Sequence, residues 1–186
     1  MNIIKTAIPG PLVIESRIFE DERGFLMETF HGQRYDHAGL PDVFVQNNLS
    51  HSCLGVLRGL HYQLHQPQGK LVHVTRGEIF DVAVDIRKGS PWFGQWVGET
   101  LSGSNKRQLY IPPGFAHGFC VLSESADFLY KCTDYYSPED EHGVHWNDPD
   151  IGIVWPQMNF MLSKKDEQNP RLKDLGDSLP SYDFKQ

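Results

Sequence analysis

The sequence predicts a mainly β protein of the sandwich or barrel kind, in the jelly-roll style. Three observations lead there. Short apolar runs are separated along the chain by Gly and Pro punctuation. In residues 78–87, Phe80, Val82, Val84 and Ile86 alternate with Asp81, Ala83 and Asp85, the period-2 signature of a strand. Long amphipathic helices are missing between the runs, which disfavours a doubly wound α/β sheet.

The elements follow in order. Residues 12–19 are apolar and β-branched, and after the turn Asp21-Glu22-Arg23-Gly24 a second run covers 25–30. Residues 33–40 read as a short helical or irregular stretch. Strands are then expected at 44–48, 55–64, 70–75, 78–87, 94–101, 107–111, 118–122 and 127–135. Near the C-terminus, Ser163-Lys164-Lys165-Asp166 has the form of a helix start, with Ser163 as N-cap and an acidic residue three positions on. No internal repeat or linker divides the chain, so residues 1–186 are expected to form a single domain.

Composition narrows the function. A formal net charge of −7 argues against nucleic-acid or anionic-membrane binding, which need clustered Lys and Arg. A phosphorylated small molecule held by a few local cations stays compatible with it. No run approaches the ~20 apolar residues of a membrane span, and residues 1–11 lack the basic start and apolar run of a secretory signal. Cys53, Cys120 and Cys132 are odd in number and have no metal-like spacing. They read as reduced thiols, with the cytoplasm as the expected compartment. Aromatic residues make up 12%, enough to line a cavity or an interface.

Four segments could carry chemistry. In Arg58-Gly59-Leu60-His61-Tyr62-Gln63, strand alternation puts Gly59, His61 and Gln63 on one face and Arg58, Leu60 and Tyr62 on the other. Arg58 and the nearby Lys70 are cations suited to an anionic substrate. The run from Pro112 to His117 has the form P-x-G-x-x-H, a turn feeding a His into a strand. It resembles the second motif of the cupin superfamily, a double-stranded jelly roll. Metal-binding cupins offer H-x-H in their first motif, where this chain reads His61-Tyr62-Gln63. One ligand is therefore missing, and His65 and His73 are out of pattern. A metal-free barrel is the expectation and a metal-dependent cupin the alternative.

In the third segment Tyr130, Cys132, Asp134 and Tyr136 share a face. Tyr130 either packs with its hydroxyl bonded or donates a proton, since a phenol is mostly protonated near neutral pH. Asp166, the fourth element, either completes the helix cap or orients and charges His61 as a carboxylate does for a catalytic imidazole.

Taken together the segments resemble the dTDP-4-dehydrorhamnose 3,5-epimerase family over nearly the whole chain. The similarity runs through Asp21-Glu22-Arg23-Gly24-Phe25, Gln46-Asn47-Asn48, residues 55–63, Gln68-Gly69-Lys70-Leu71-Val72, residues 77–87, residues 113–119, residues 130–138 and Trp146-Asn147-Asp148-Pro149. The resemblance implies a cupin jelly roll with a few short helices, and a homodimer whose N-terminal strand is exchanged so that residues of one chain enter the other's pocket. It implies His61 as general base, Asp166 as its carboxylate partner, Tyr130 as the acid on the opposite face of the sugar, and Lys70, with His117 nearby, on the enolate oxygen. Arg23, Glu28, Gln46, Asn47, Asn48, Arg58 and Glu141 would contact the nucleotide sugar, with Phe25 and Tyr136 stacking on the thymine.

The implied reaction inverts carbons 3 and 5 of dTDP-4-dehydro-6-deoxy-D-glucose to give dTDP-4-dehydro-L-rhamnose, toward dTDP-L-rhamnose and cell-surface polysaccharide. No cofactor is implied, and the chain carries no G-x-G-x-x-G dinucleotide fingerprint. A ketone at carbon 4 acidifies the protons on its neighbours, so a base, an opposing acid and a cation suffice. Inversion of a single carbon on a related nucleotide sugar is the nearest alternative. A non-catalytic sugar-binding cupin would not need His61, Lys70 and Tyr130 together.

Overall fold

The computed structural model describes residues 1–182. The chain runs β1 (Asn2–Lys5), β2 (Leu12–Glu15), β3 (Ile18–Asp21), β4 (Gly24–Met27), α1 (Gly32–His37), β5 (Gln46–Cys53), β6 (Leu57–Gln63), β7 (Lys70–Arg76), β8 (Glu78–Asp85), β9 (Trp96–Ser102), β10 (Gln108–Ile111), β11 (Phe115–Val121), β12 (Ser125–Cys132), β13 (Glu141–Gly143) and α2 (Lys164–Glu167). Two short 3-10 turns follow, at Leu172–Asp174 and Gly176–Ser178. Every strand pair is antiparallel, in a six-stranded sheet ordered β1-β2-β10-β7-β12-β5 and a five-stranded sheet ordered β13-β6-β11-β8-β9. This is the expected cupin jelly roll.

The sheets face each other over a core that includes Val72, Val74, Leu109, Phe119 and Phe128. A second core lies on the outer face of the five-stranded sheet. There Val82, Val84 and Ile86 of β8 and the residue following it are covered by Leu172, Leu175 and Leu179 from the C-terminal segment. Both faces of β8 are therefore buried, and Asp81 and Asp85, which an alternating strand ordinarily turns to water, are fully enclosed. Each has partners: Asp81 holds His117, and Asp85 takes Arg87 at 2.6 Å and the Ser90 hydroxyl at 2.6 Å.

The run expected at 12–19 splits. Leu12–Glu15 stays in the large sheet beside β10, whereas Ile18–Asp21 leaves it and pairs only with β4. The resulting hairpin is exposed, with Phe19, Phe25 and Leu26 each more than half in solvent. β1 and β13, each four residues or fewer, lie outside the expected strands.

The face assignment in β6 is corrected. β6 pairs His61 with His117 and Arg58 with Phe119 of β11, so it spends one residue more than its neighbour between these pairs. Such a bulge breaks the alternation, and Arg58 joins His61 on the cavity side while Leu60 goes to the outer core. Glycine is required here. Gly59 has φ +114°, and a Cβ on it would stand 2.6 Å from Gly118 Cα.

Candidate active site

Between the two sheets opens a cavity of about 390 Å³. The six-stranded sheet contributes Gln46 and Asn48 from β5, Lys70 from β7 and Tyr130 from β12; the five-stranded sheet contributes Arg58, His61 and Gln63 from β6, His117 from β11 and Glu141 from β13. α2 adds Asp166 and Lys165 at the rim. Register explains the grouping. Tyr130 sits opposite Asn48, Cys132 opposite both Gln46 and Lys70, and His61 opposite His117.

His61 Nε2 lies 2.6 Å from Asp166 Oδ1, with Asp166 almost wholly buried. Ser163 caps α2 as expected, its hydroxyl accepting the Asp166 N–H at 3.1 Å. Capping thus uses the Asp166 backbone and leaves the carboxylate for the imidazole, so the two readings of this residue coexist. Burial works against the ionised carboxylate. The hydrogen bond and charge of His61, the Ser163 hydroxyl and the Gly59 amide outweigh it and hold Asp166 below the ordinary Asp range.

Behind this pair is a second one. His117 Nε2 lies 2.9 and 3.0 Å from the two oxygens of Asp81, and both side chains are buried. Burial pushes the Asp81 carboxyl up and the His117 imidazole down. Lys70 is also pushed down by burial, against the pull of Cys132, Glu141 and Asp81. Tyr130 packs beside Phe128 at 5.5 Å between ring centres, and burial raises its phenol, which keeps the proton on. Chemically, the cavity offers an imidazole–carboxylate pair on one wall, and a protonated phenol and a lysine on the other.

Tyr136 and Glu141 form the outer wall, the Tyr136 hydroxyl donating to Glu141 Oε2 at 3.0 Å. Gln63 fixes that wall by donating to Tyr135 O at 3.1 Å and accepting the Ser137 N–H at 2.9 Å. The Arg58 Nε–H is held by Ser52 Oγ at 3.2 Å.

Not every expected residue is gathered. Asn47 points outward, as its place between Gln46 and Asn48 on a strand demands, and accepts from Lys131 at 3.4 Å. Asp134 lies past the end of β12 and does not reach the cavity with Tyr130 and Tyr136. Arg23, Phe25 and Glu28 stand on or beside the exposed β3–β4 hairpin, Arg23 paired with Asp21 and Glu28 with Arg34, away from this chain's own cavity. Conversely, Lys165 lines the cavity unexpectedly and pairs with Glu141. Its only sequence signal is its place beside Asp166 in the first turn of a capped helix. Among the described residues no three His, Cys, Asp or Glu side chains gather as a metal-holding group.

A family model described as dTDP-4-dehydrorhamnose 3,5-epimerase matches residues 5–174. An enzyme of that name from Pseudomonas aeruginosa is 55% identical over 176 residues, covering 94% of this chain and 97% of the relative. Its Shigella flexneri counterpart is 56% identical over the same shares of each chain. The crystal structure of dTDP-6-deoxy-D-glucose-3,5-epimerase from Legionella pneumophila, in complex with dTDP-4-keto-L-rhamnose, superposes with a TM-score of 0.96 at 57% identity, covering 98% of each chain.

Proposed function

Because the chain belongs to the dTDP-4-dehydrorhamnose 3,5-epimerase family, we propose that it inverts carbons 3 and 5 of dTDP-4-dehydro-6-deoxy-D-glucose, yielding dTDP-4-dehydro-L-rhamnose. The observation that carries this reading is the placement of His61 with Asp166 on one wall of the cavity and Tyr130 on the other. Inversion at a carbon requires removal of a proton from one face and its return on the opposite face.

His61 acts as base. Its Nε2 is engaged by Asp166, so the proton from the sugar is taken at Nδ1, and the carboxylate stabilises the imidazolium that results. The electron pair left on carbon delocalises onto the carbonyl oxygen at carbon 4, where Lys70 and His117 meet the developing charge. Tyr130 then delivers a proton to the other face of the carbon. Gln46, Asn48 and Arg58 hold the nucleotide sugar, and Arg58 and Lys165 supply the local positive charge that a diphosphate needs on a protein of net charge −7. The base–acid–cation set is complete in the chain's own side chains.

The thymine stacks on Tyr136. Arg23, Phe25 and Glu28 complete the site from the partner of a homodimer, the β3–β4 hairpin crossing between subunits. Its solvent-exposed Ile18, Phe19, Phe25 and Leu26 support this, since exposed apolar groups of this kind mark association surfaces. Among the described residues no helix is long and apolar enough to cross a membrane, and the three cysteines are unpaired. A reducing cytoplasm agrees with those free thiols. Incubation with the 4-keto-6-deoxy-D-glucose nucleotide, followed by proton NMR of the product ring, tests the proposal. Coupling constants of the L-rhamno configuration support it, and unchanged starting sugar opposes it.

A further inference from the structure

The His61 ring stands between two carboxylates. Asp166 Oδ1 takes Nε2 at 2.6 Å, and Glu141 Oε1 lies 3.9 Å from Nδ1, the nitrogen left for substrate. The two oxygens of Glu141 have separate duties. Oε1 is turned to His61, while Oε2 receives both the Lys165 ammonium and the Tyr136 hydroxyl. Glu141 itself is only 16% exposed, whereas the Lys165 side chain is 54% exposed. Burial works against the Glu141 carboxylate. Lys165, His61 and Tyr136 outweigh burial and hold Glu141 ionised.

We infer that Glu141 is a second positioning carboxylate for His61, masked by its pairing with Lys165 and unmasked when an anionic substrate draws that lysine away. The inference rests on the epimerase reading, in which a diphosphate enters beside Lys165. A diphosphate competes well for an ammonium, being multiply charged and rich in acceptors. Glu141 is then left with its full charge beside Nδ1, where the proton from the sugar arrives, so that the base strengthens only when the substrate is seated. The other charged or titratable groups lining the cavity with the ring are His117 from β11 with Asp81 behind it, Lys70 from β7, Tyr130 and Cys132 from β12, and Arg58 and Tyr62 on β6 itself. None of these bridges a carboxylate to Nδ1.

The test is a double-mutant cycle read on the His61 ring by nitrogen-edited NMR titration of the substrate-free protein, with Lys165→Met, Glu141→Gln and the pair combined. Lys165→Met is expected to move the His61 titration to higher pH and Glu141→Gln to lower pH. The upward shift should vanish when Lys165→Met is made on the Glu141→Gln background. Thymidine diphosphate added to the unmutated protein should shift His61 upward, and by less in Glu141→Gln. At saturating substrate, Glu141→Gln should slow proton exchange about tenfold, short of the 10²–10⁴-fold loss typical of removing a base outright. An equal upward shift in both backgrounds, or none in Lys165→Met, overturns the inference. These titrations need no turnover. Absence of sugar-proton exchange by the unmutated protein would defeat the epimerase reading separately.

Discussion

His61 and Asp166 stand 2.6 Å apart although 105 residues separate them. The contact exists because the C-terminal segment folds back over the five-stranded sheet, anchored by Leu172, Leu175 and Leu179 and by the Leu172 N–H on Asp148 at 2.7 Å. Asp166→Asn should lower turnover by about 10² or more, since Asn carries no charge to stabilise the imidazolium and presents the wrong group to one tautomer. The acidic limb of the pH–rate profile should move to lower pH. Stability has its own sign. Asp166 is held below its ordinary value of 3.8, so its contribution is present above that pH and is lost as pH falls through the lower folded value. The melting-temperature gap between Asp166→Asn and the unmutated protein should therefore close in acid. A normal rate with an unmoved limb would reduce Asp166 to a helix cap.

Tyr130→Phe keeps the ring against Phe128 and should leave the fold intact. Because burial raises the phenol above its ordinary value of 10.0, Tyr130 stays protonated across the neutral range. If it returns the proton, the variant should still exchange sugar protons through His61 while product falls by about 10². Equal losses of exchange and product, followed by NMR in one tube, would assign Tyr130 to binding instead.

Lys70→Met preserves most of the side-chain volume on β7 and removes the cation. With the oxyanion left to His117, turnover should drop by about 10²–10³, the cost of one lost stabilising donor, and substrate affinity should change far less. A pure rise in KM at unchanged kcat would place Lys70 on the nucleotide.

Asp85→Ala tests the buried ion pair at the end of β8. It strands the Arg87 guanidinium, only 15% exposed and lying over the Phe115 and Tyr182 rings at 4.6 and 4.8 Å. Losing one partner of such a buried pair costs about 3–5 kcal/mol. For a chain of this size that is roughly 10 °C in melting temperature by calorimetry. A change under about 2 °C would show that Arg87 finds water or another acceptor.

Much of this architecture was legible in the order of residues because alternation and turn chemistry are local. The β8 pattern, the Ser163 cap and the P-x-G-x-x-H turn into β11 all stand where local rules put them. Alternation alone puts Arg58 on the wrong face, because one extra residue in β6 breaks the pattern and a bulge shows itself only against the neighbouring strand. The burial of Asp81 and Asp85 is hidden in the sequence because it depends on both faces of β8 being covered by distant segments, although Arg87, the partner of Asp85, stands only two residues from it. Asp166 is legible as a cap from its local sequence and as a partner of His61 only through the family resemblance, since that contact depends on the path of the whole C-terminal segment. Lys165 is not legible as a site residue, because an exposed lysine beside a helix cap has no local mark of function.

The central claim is proton removal from both carbons flanking the ketone by a single imidazole. Proton NMR of the 4-keto-6-deoxy-D-glucose nucleotide in heavy water, with unmutated protein and with His61→Asn in parallel, tests it most directly. The account predicts loss of the carbon 3 and carbon 5 signals with the unmutated protein, and at least about 10²-fold slower loss with His61→Asn. Loss at one carbon alone would make the protein a single-carbon epimerase, and undiminished exchange by His61→Asn would contradict the assignment of the base.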